Sequence, residues 1–264
     1  MTVGFVGAGR MGAPMVRRLV ESGFDVRVLG RTDAKRSAAM DLGAHPVTSV
    51  SEAGRDVDAV AVCVFTDEQV REVCLDGGLI EAMSPGSVLI LHTTGSPRTA
   101  QTIADRAVSH GVEVVDAPVS GGPHDIAAGR VTLFVGGSEN AVSRVTPMLS
   151  SYADPILHVG PVGTGQKVKL INNTLFAANI GLVSEAVRLG SELGVPETAL
   201  LNAVQHGSGT SRALSSMAAA GSAATFRAAV GEFIAKDVAV IRQTADDLGA
   251  DLGLLDDAVD TALN

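Results

Sequence analysis

The most constraining feature of this 264-residue chain is a glycine pattern near its start. Gly7-Ala8-Gly9-Arg10-Met11-Gly12 follows directly on the apolar run Val3-Gly4-Phe5-Val6. It opens a stretch, Pro14 to Ser22, whose apolar residues recur at helical spacing. A G-x-G-x-x-G run alone says little, but between a strand and a helix it reads as a dinucleotide-binding turn. Gly7 permits the tight turn, Gly9 lets a pyrophosphate approach the backbone, and Gly12 lets the helix pack on the strand. The helix N-terminus then offers free N–H groups to phosphate. Residues 7–12 are therefore candidate cofactor-binding residues, and a Gly-rich turn that binds no nucleotide is the alternative.

The rest of the chain supplies the context this turn needs. Apolar runs recur at Val26–Leu29, Ala59–Val64, Val88–Leu91, Val112–Val115 and Thr132–Val135. They are short and Val-rich, as strands buried on both faces of a parallel sheet are. Helical stretches such as Pro97 to His110 intervene, and strand–helix alternation predicts a doubly wound α/β sheet. The pattern changes after Gly160. Gln166 to Leu193 reads as one long helix, ended by Gly194 and Pro196. Helices are also predicted at Glu197–His206, Ser211–Ala220 and Phe226–Leu248, with no strand after Val159. The expected organisation is a Rossmann-like domain over 1–161, then a connecting helix and an all-helical domain over 162–264.

Composition removes several function classes. Lys and Arg number 20 against 29 Asp and Glu, a net charge of −9, so the basic footprint of a nucleic-acid binder is missing. Aromatics make up 3% with no Trp, which disfavours a base-stacking platform. No polybasic cluster suggests a membrane surface, and no apolar run is long enough to span a bilayer. Cys63 and Cys74 form no disulfide framework or zinc pattern. The six histidines show no i,i+4 pair, so no metal is expected. The first strand-like run opens at residue 2 and leaves no room for a leader, so a cytoplasmic protein is expected.

Further candidates lie at the ends of the predicted strands, where open sheets bind ligands. After Val26–Leu29 comes Gly30-Arg31-Thr32, with glycine where an acidic residue would bond the ribose hydroxyls of NAD. Arg31 can fork onto a 2′-phosphate and Thr32 can donate a hydroxyl, which favours NADP(H). Asp33 nearby opposes that reading, and a solvated Arg31 is its alternative. In His92-Thr93-Thr94-Gly95-Ser96-Pro97, Thr94 could meet the nicotinamide or serve as part of a helix cap. Ser120-Gly121-Gly122 offers a hydroxyl and unhindered N–H groups suited to a carboxylate, or an ordinary turn. Lys167 and Lys169 point to different faces of the long helix, while Lys169 and Asn173 share one. Partial burial lowers a lysine pKa toward neutrality, where it can exchange a proton with an alcohol or carbonyl oxygen. A bare Lys-x-x-x-Asn is more often a solvated face.

Taken together, these segments resemble the β-hydroxyacid dehydrogenase family, which includes 3-hydroxyisobutyrate dehydrogenases and glyoxylate/succinic semialdehyde reductases. The likeness covers nearly the whole chain. Phe5 to Gly12 is similar to the family's N-terminal signature, and Asp116-Ala117-Pro118-Val119-Ser120-Gly121-Gly122 to its substrate loop. Gly163-Thr164-Gly165-Gln166 through Lys169 to Asn173 resembles its catalytic segment, and Lys236-Asp237 its late Lys-Asp pair. The resemblance implies that Lys169 is the general acid/base and that Asn173 positions it and the substrate. It implies that Ser120, Gly121 and Gly122 hold the substrate carboxylate. Val64 and Thr94 would lie by the cofactor and Lys236 would reach it. Gly30-Arg31-Thr32 with Lys35 resembles the branch that prefers NADPH over NADH. A homodimer or higher homo-oligomer with the long helix in the interface is also implied.

Three departures accompany the likeness. The loop that usually reads Asp-x-Ser-Thr carries His92-Thr93-Thr94 here, and Pro123-His124-Asp125-Ile126 stands where Gly-Ala is usual. Both sit near the expected substrate pocket, so His92 and His124 are candidates for its lining and the substrate is expected to be unusual. The chain also ends at Asn264, short of the family's usual last segment. Related imine reductases usually place Asp or Tyr where Lys169 stands, so that activity is the minor alternative. A non-catalytic NADP-binding sensor is the rival from another class; it would need Gly7, Gly9, Gly12 and Arg31 but not Lys169.

Overall fold

A computed structural model describes residues 1–263, with backbone alone at 232, 233 and 263. Among the described residues nine strands form one sheet: β1 (Thr2–Val6), β2 (Asp25–Leu29), β3 (His45–Val47), β4 (Ala59–Val62), β5 (Val88–Leu91), β6 (Glu113–Asp116), β7 (Val119–Ser120), β8 (Val131–Gly136) and β9 (Ala153–Gly160). Their order is β3-β2-β1-β4-β5-β6-β8-β7, with β9 also paired to β8. From β3 to β6 every pairing is parallel. The chain winds outward from β1 in both directions, so the crevice at its carboxyl end is the topological switch point of the sheet.

Period-two burial explains the continuous apolar runs. Val3, Phe5, Ala59, Ala61, Ile90 and Val115 pack on one face of the sheet, and Val60, Val62, Leu89, Leu91 and Val114 on the other. The sheet is not wholly parallel, however. β8 runs antiparallel to β6 and β7. The connection from β6 to β8 spends its residues on β7 and the short helix Pro123–Ala127, and returns as a hairpin instead of crossing over. Three strands carry no apolar run in the sequence. β3 and β7 have three and two residues, and β9 includes Asp154, Pro155 and His158. Proline is tolerated at a strand that pairs on one side only.

Two compact units divide the chain, Met1–Lys169 and Leu170 onward. That division lies eight residues beyond the expected boundary after 161. The long helix Thr164–Glu192 straddles it, and the first turn of that helix is bonded to β6 through Asp116. The second unit contains the rest of that helix with Glu197–Val204, Arg212–Ala220, Ala223–Leu248 and Leu254–Leu263. Its core gathers Ala177, Ile180, Leu201, Leu214, Met217, Ile234, Val238 and Val259. Among the described residues, no helix is long and apolar enough to cross a membrane.

Candidate active site

The turn after β1 has the shape its glycines predict. Gly7 has φ +101°, and a Cβ there would lie 2.3 Å from the Cys63 carbonyl oxygen. A Cβ on Gly12 would lie 2.2 Å from the Gly7 carbonyl oxygen. Gly9 differs, because nothing stands within 4 Å of its would-be Cβ. Two glycines are thus required by packing, and the third leaves open space over the backbone. The helix Gly12–Glu21 begins there with no side-chain cap from Met11 and no acidic residue in its first turn. An uncapped positive helix end beside an open glycine fits a pyrophosphate.

At the end of β2, packing excludes the acidic residue of an NAD-type site. A Cβ on Gly30 would come within 2.9 Å of the Arg36 backbone nitrogen. Arg36 donates to the Gly30 carbonyl and pairs with Asp33, whose side chain is 99% exposed. Thr32 caps the helix Asp33–Asp41 by accepting the Lys35 N–H at 3.3 Å. Arg31 and Lys35 are exposed, and Arg31 reaches Glu72 at 3.4 Å. Such a solvent-facing pair is weak and exchangeable.

The ends of β4, β5 and β6 are tied together by polar side chains. Thr93 Oγ1 accepts the Val64 N–H and donates to the Val64 carbonyl, both at 2.9 Å. Thr94 is half-buried beside it. Asp67 accepts the Ser96 N–H at 2.9 Å and the Thr99 hydroxyl at 2.5 Å. Gln166, buried, donates to the Thr93 carbonyl at 2.8 Å and accepts the Gly95 N–H at 3.0 Å. Asp116 closes β6 and is fully buried. Its carboxylate accepts the Gly163 N–H at 2.6 Å and the Gln166 N–H at 2.7 Å. Burial pushes its pKa from 3.8 up to about 6, against the opposing pull of the Gly163, Gln166 and Gly165 N–H groups. Sequence reasoning passed over Asp116 and Gln166 as site residues. Asp116 is the strand-final residue of the substrate-loop motif, and Gln166 opens the Lys169 helix; that placement was the available signal.

Lys169 lies one turn into this anchored helix and is 8% exposed, while Lys167 is exposed. The two lysines therefore separate as their spacing predicts. Asn173 and Lys236 belong to the second unit, where Asp237 joins them. Asn173 Nδ2 donates to Asp237 Oδ2, and Lys236 Nζ stands 3.6 Å from Asp237 Oδ1. Asn172 donates to Asn173 Oδ1 at 3.0 Å. Asp237 is a third residue that sequence reasoning passed over, although the Lys236-Asp237 pair pointed at it.

His92 corrects an expectation. It is 1% exposed and lies between two partners, the Ala117 carbonyl at 2.7 Å and the Tyr152 hydroxyl at 2.9 Å. Burial drives its pKa from 6.5 down to about 4, so it is a neutral core residue and not a lining group. Donation from Nδ1 to the carbonyl leaves Nε2 to accept from Tyr152. His124 does reach solvent, with a side chain 80% exposed, beside Ser120-Gly121-Gly122. Cys63 and Cys74 are free, and burial raises both thiols to about 12, which removes them as nucleophiles.

Comparison with known proteins shows what the chain is similar to. Residues 2–160 match the family model of the NAD-binding domain of 6-phosphogluconate dehydrogenase. Residues 163–262 match that of the NAD-binding domain of NADP-dependent 3-hydroxyisobutyrate dehydrogenase. An NAD-dependent L-serine dehydrogenase of Pseudomonas aeruginosa is 32% identical over 80% of this chain and 72% of its own length. The structure of Mycobacterium tuberculosis 3-hydroxyisobutyrate dehydrogenase with L-serine aligns with TM-score 0.88 and 30% identity, over 98% of this chain and 91% of that one. A Streptomyces aurantiacus imine reductase shares the fold at TM-score 0.68 and 19% identity, over 98% and 92%.

Proposed function

The chain belongs to the β-hydroxyacid dehydrogenase family, and we propose that within it the protein is an NADP(H)-dependent enzyme interconverting a small β-hydroxy acid and its semialdehyde or keto acid. Membership makes it a nicotinamide-dependent dehydrogenase acting on a CH–OH group. The observation that carries the finer reading is Lys169. It is nearly buried, one turn into a helix that Asp116 and Gln166 hold against the carboxyl ends of β5 and β6.

Gly7 to Gly12 receive the cofactor's pyrophosphate, and the open space over Gly9 supports that role. Arg31, Thr32 and Lys35 meet the 2′-phosphate, with Arg31 exchanging Glu72 for it. Val64, Thr94 and Lys236 complete the cofactor contacts. The bound nicotinamide supplies the two-electron chemistry, exchanging a hydride with the hydroxyl-bearing carbon. Lys169 gives a proton to the developing alkoxide in reduction and takes it from the alcohol in oxidation. Ser120, Gly121 and Gly122 hold the substrate carboxylate, which orients the reacting carbon. Asn173, held by Asp237, positions substrate and lysine.

The enzyme works in the cytoplasm as a homodimer or larger homo-oligomer. Support for self-association comes from Ile171, Leu175, Leu182 and Leu189, all exposed on the long helix. Spacings of 4, 7 and 7 put them on one face.

Lys169→Ala tests the mechanism. Turnover is expected to fall about 10²- to 10⁴-fold, with the NADPH dissociation constant, read by fluorescence titration, nearly unchanged. Loss of NADPH binding together with turnover would make Lys169 structural and contradict its role. A non-catalytic sensor would have no wild-type turnover to lose.

A further inference from the structure

The side-chain amide of Gln166 brackets Thr94. Its Nε2 donates to the Thr93 carbonyl at 2.8 Å, and its Oε1 accepts the Gly95 N–H at 3.0 Å. Both bonds come from one planar group and fall on the residues either side of Thr94. Among side chains, Asn and Gln alone carry a donor and an acceptor on one amide. Gln166 is 2% exposed, so water does not compete for these bonds. Its main chain is fixed as well, because its N–H donates to Asp116 Oδ2 at 2.7 Å. Gln166 therefore joins the end of β6 to the loop after β5. Lys169 follows three positions later on the same helix, and residues three apart share a face.

The two ends of the Thr94 loop have anchors of their own. On one side Thr93 Oγ1 is bonded to both the N–H and the carbonyl of Val64. On the other side Asp67 accepts the Ser96 N–H and the Thr99 hydroxyl. A Cβ on Gly95 would collide with Asp67 Oδ1, so the chain runs close against that carboxylate. Gln166 spans the gap between these anchors, where Thr94 lies.

We propose that Gln166 is a positioning residue for the cofactor: its amide sets the backbone of Thr94 at the nicotinamide end of the site and ties that setting to the helix that carries Lys169. The assignment rests on the reading of Thr94 as a nicotinamide contact. It deepens that reading, because one residue then belongs to the supports of both the hydride carrier and the proton carrier. A misplacement of about 1 Å between reacting groups costs about 10²-fold in rate.

The test reads binding, so it needs no substrate. Dissociation constants of NADPH and of 2′-phospho-ADP-ribose, the same cofactor without its nicotinamide, are measured by calorimetry. Wild type, Gln166→Met, Thr94→Ala and the double variant are compared. Methionine keeps the length of the side chain and removes both bonds. Gln166→Met is expected to weaken NADPH about fivefold to tenfold and to leave 2′-phospho-ADP-ribose unchanged. In the Thr94→Ala background the same substitution is expected to change NADPH affinity less than about twofold, because the contact it steers is gone. Equal weakening of the two ligands, additive effects of the two substitutions, or no change in NADPH affinity would each overturn the proposal. Gln166→Glu keeps the acceptor for Gly95 and loses the donor to Thr93; it replaces the methionine variant if that does not fold, with the same pattern expected. Turnover of 3-hydroxyisobutyrate with NADP⁺ is recorded separately. The expected binding pattern without turnover would sink the hydroxyacid activity and leave the positioning role standing. A wild type that binds neither compound would overturn the cofactor reading and the proposal together.

Discussion

In the first unit several polar groups are buried and bonded: Asp116 on the Gly163 and Gln166 N–H groups, Gln166 on the Thr93 carbonyl and the Gly95 N–H, His92 between a carbonyl and Tyr152. In the second unit the long helix carries a line of apolar residues to solvent, and its polar contacts include the Asn173–Asp237–Lys236 chain and the pairing of Arg242 with Asp256 and Asp260. The sheet can bury both its faces with its own helices, so its polar groups are free to fix loop geometry at the strand ends. The helical unit leaves an apolar stripe exposed, the feature on which the proposed self-association rests. On the proposed account the first unit fixes Lys169 and the strand-end loops, and the exposed stripe of the second is where another copy docks.

The largest expected effect breaks that contrast at the stripe. Leu182→Glu with Leu189→Glu places two charges in the interface, and light scattering should show the wild-type oligomer converted to monomer. A wild type that is already monomeric would remove the basis of the comparison.

Asp116→Asn probes the first unit's buried carboxylate. Its folded pKa, about 6, is raised above the unfolded value, so its contribution to stability is full below about 3.8 and lost as pH rises through 6. In denaturant titrations from pH 4 to 7.5, wild type should lose up to ~3 kcal/mol relative to the Asn variant. A difference that stays flat with pH would mean the carboxylate titrates in its ordinary range. Next in size, His92→Leu leaves the Ala117 carbonyl and the Tyr152 hydroxyl without their partner, at a cost of about 1–3 kcal/mol by the same method. A neutral outcome would show that the polar core of this unit is dispensable. The smallest effect is at the rim: Arg31→Asp should weaken NADPH about tenfold and spare NADH. Equal wild-type affinities for the two cofactors would contradict the 2′-phosphate assignment.

The sequence made the sheet legible because strands buried on both faces need continuous apolar runs; β1, β2, β4, β5, β6 and β8 all carry one. β7 and β9 were hidden because neither is buried on both faces, and with them the antiparallel turn at the sheet's far side. The helices were legible by spacing and by stops such as Gly194, apart from the last, Leu254–Leu263. Within the site, Gly7, Gly9 and Gly12 announced themselves because backbone shape demands glycine there. Asp116, Gln166, Asp237 and Asp125 act through bonds to residues 47, 73, 64 and 3 positions away. The first three stand in motifs the sequence showed, but their partners lie too far along the chain for any local pattern to name, and Asp125 surfaced only as a departure from the family. His92 looked like a pocket residue because it follows a strand end; its direction, inward to Tyr152, depends on a residue 60 positions away.

The central claim is most directly tested by mixing wild-type protein with a pool of small β-hydroxy acids and following reduction of NADP⁺ and NAD⁺ in parallel at mildly alkaline pH. The account predicts reduction in the NADP⁺ arm, faster than in the NAD⁺ arm, and traceable to one acid when the pool is split. No reduction in either arm, by protein shown on the same sample to bind NADPH, would contradict it.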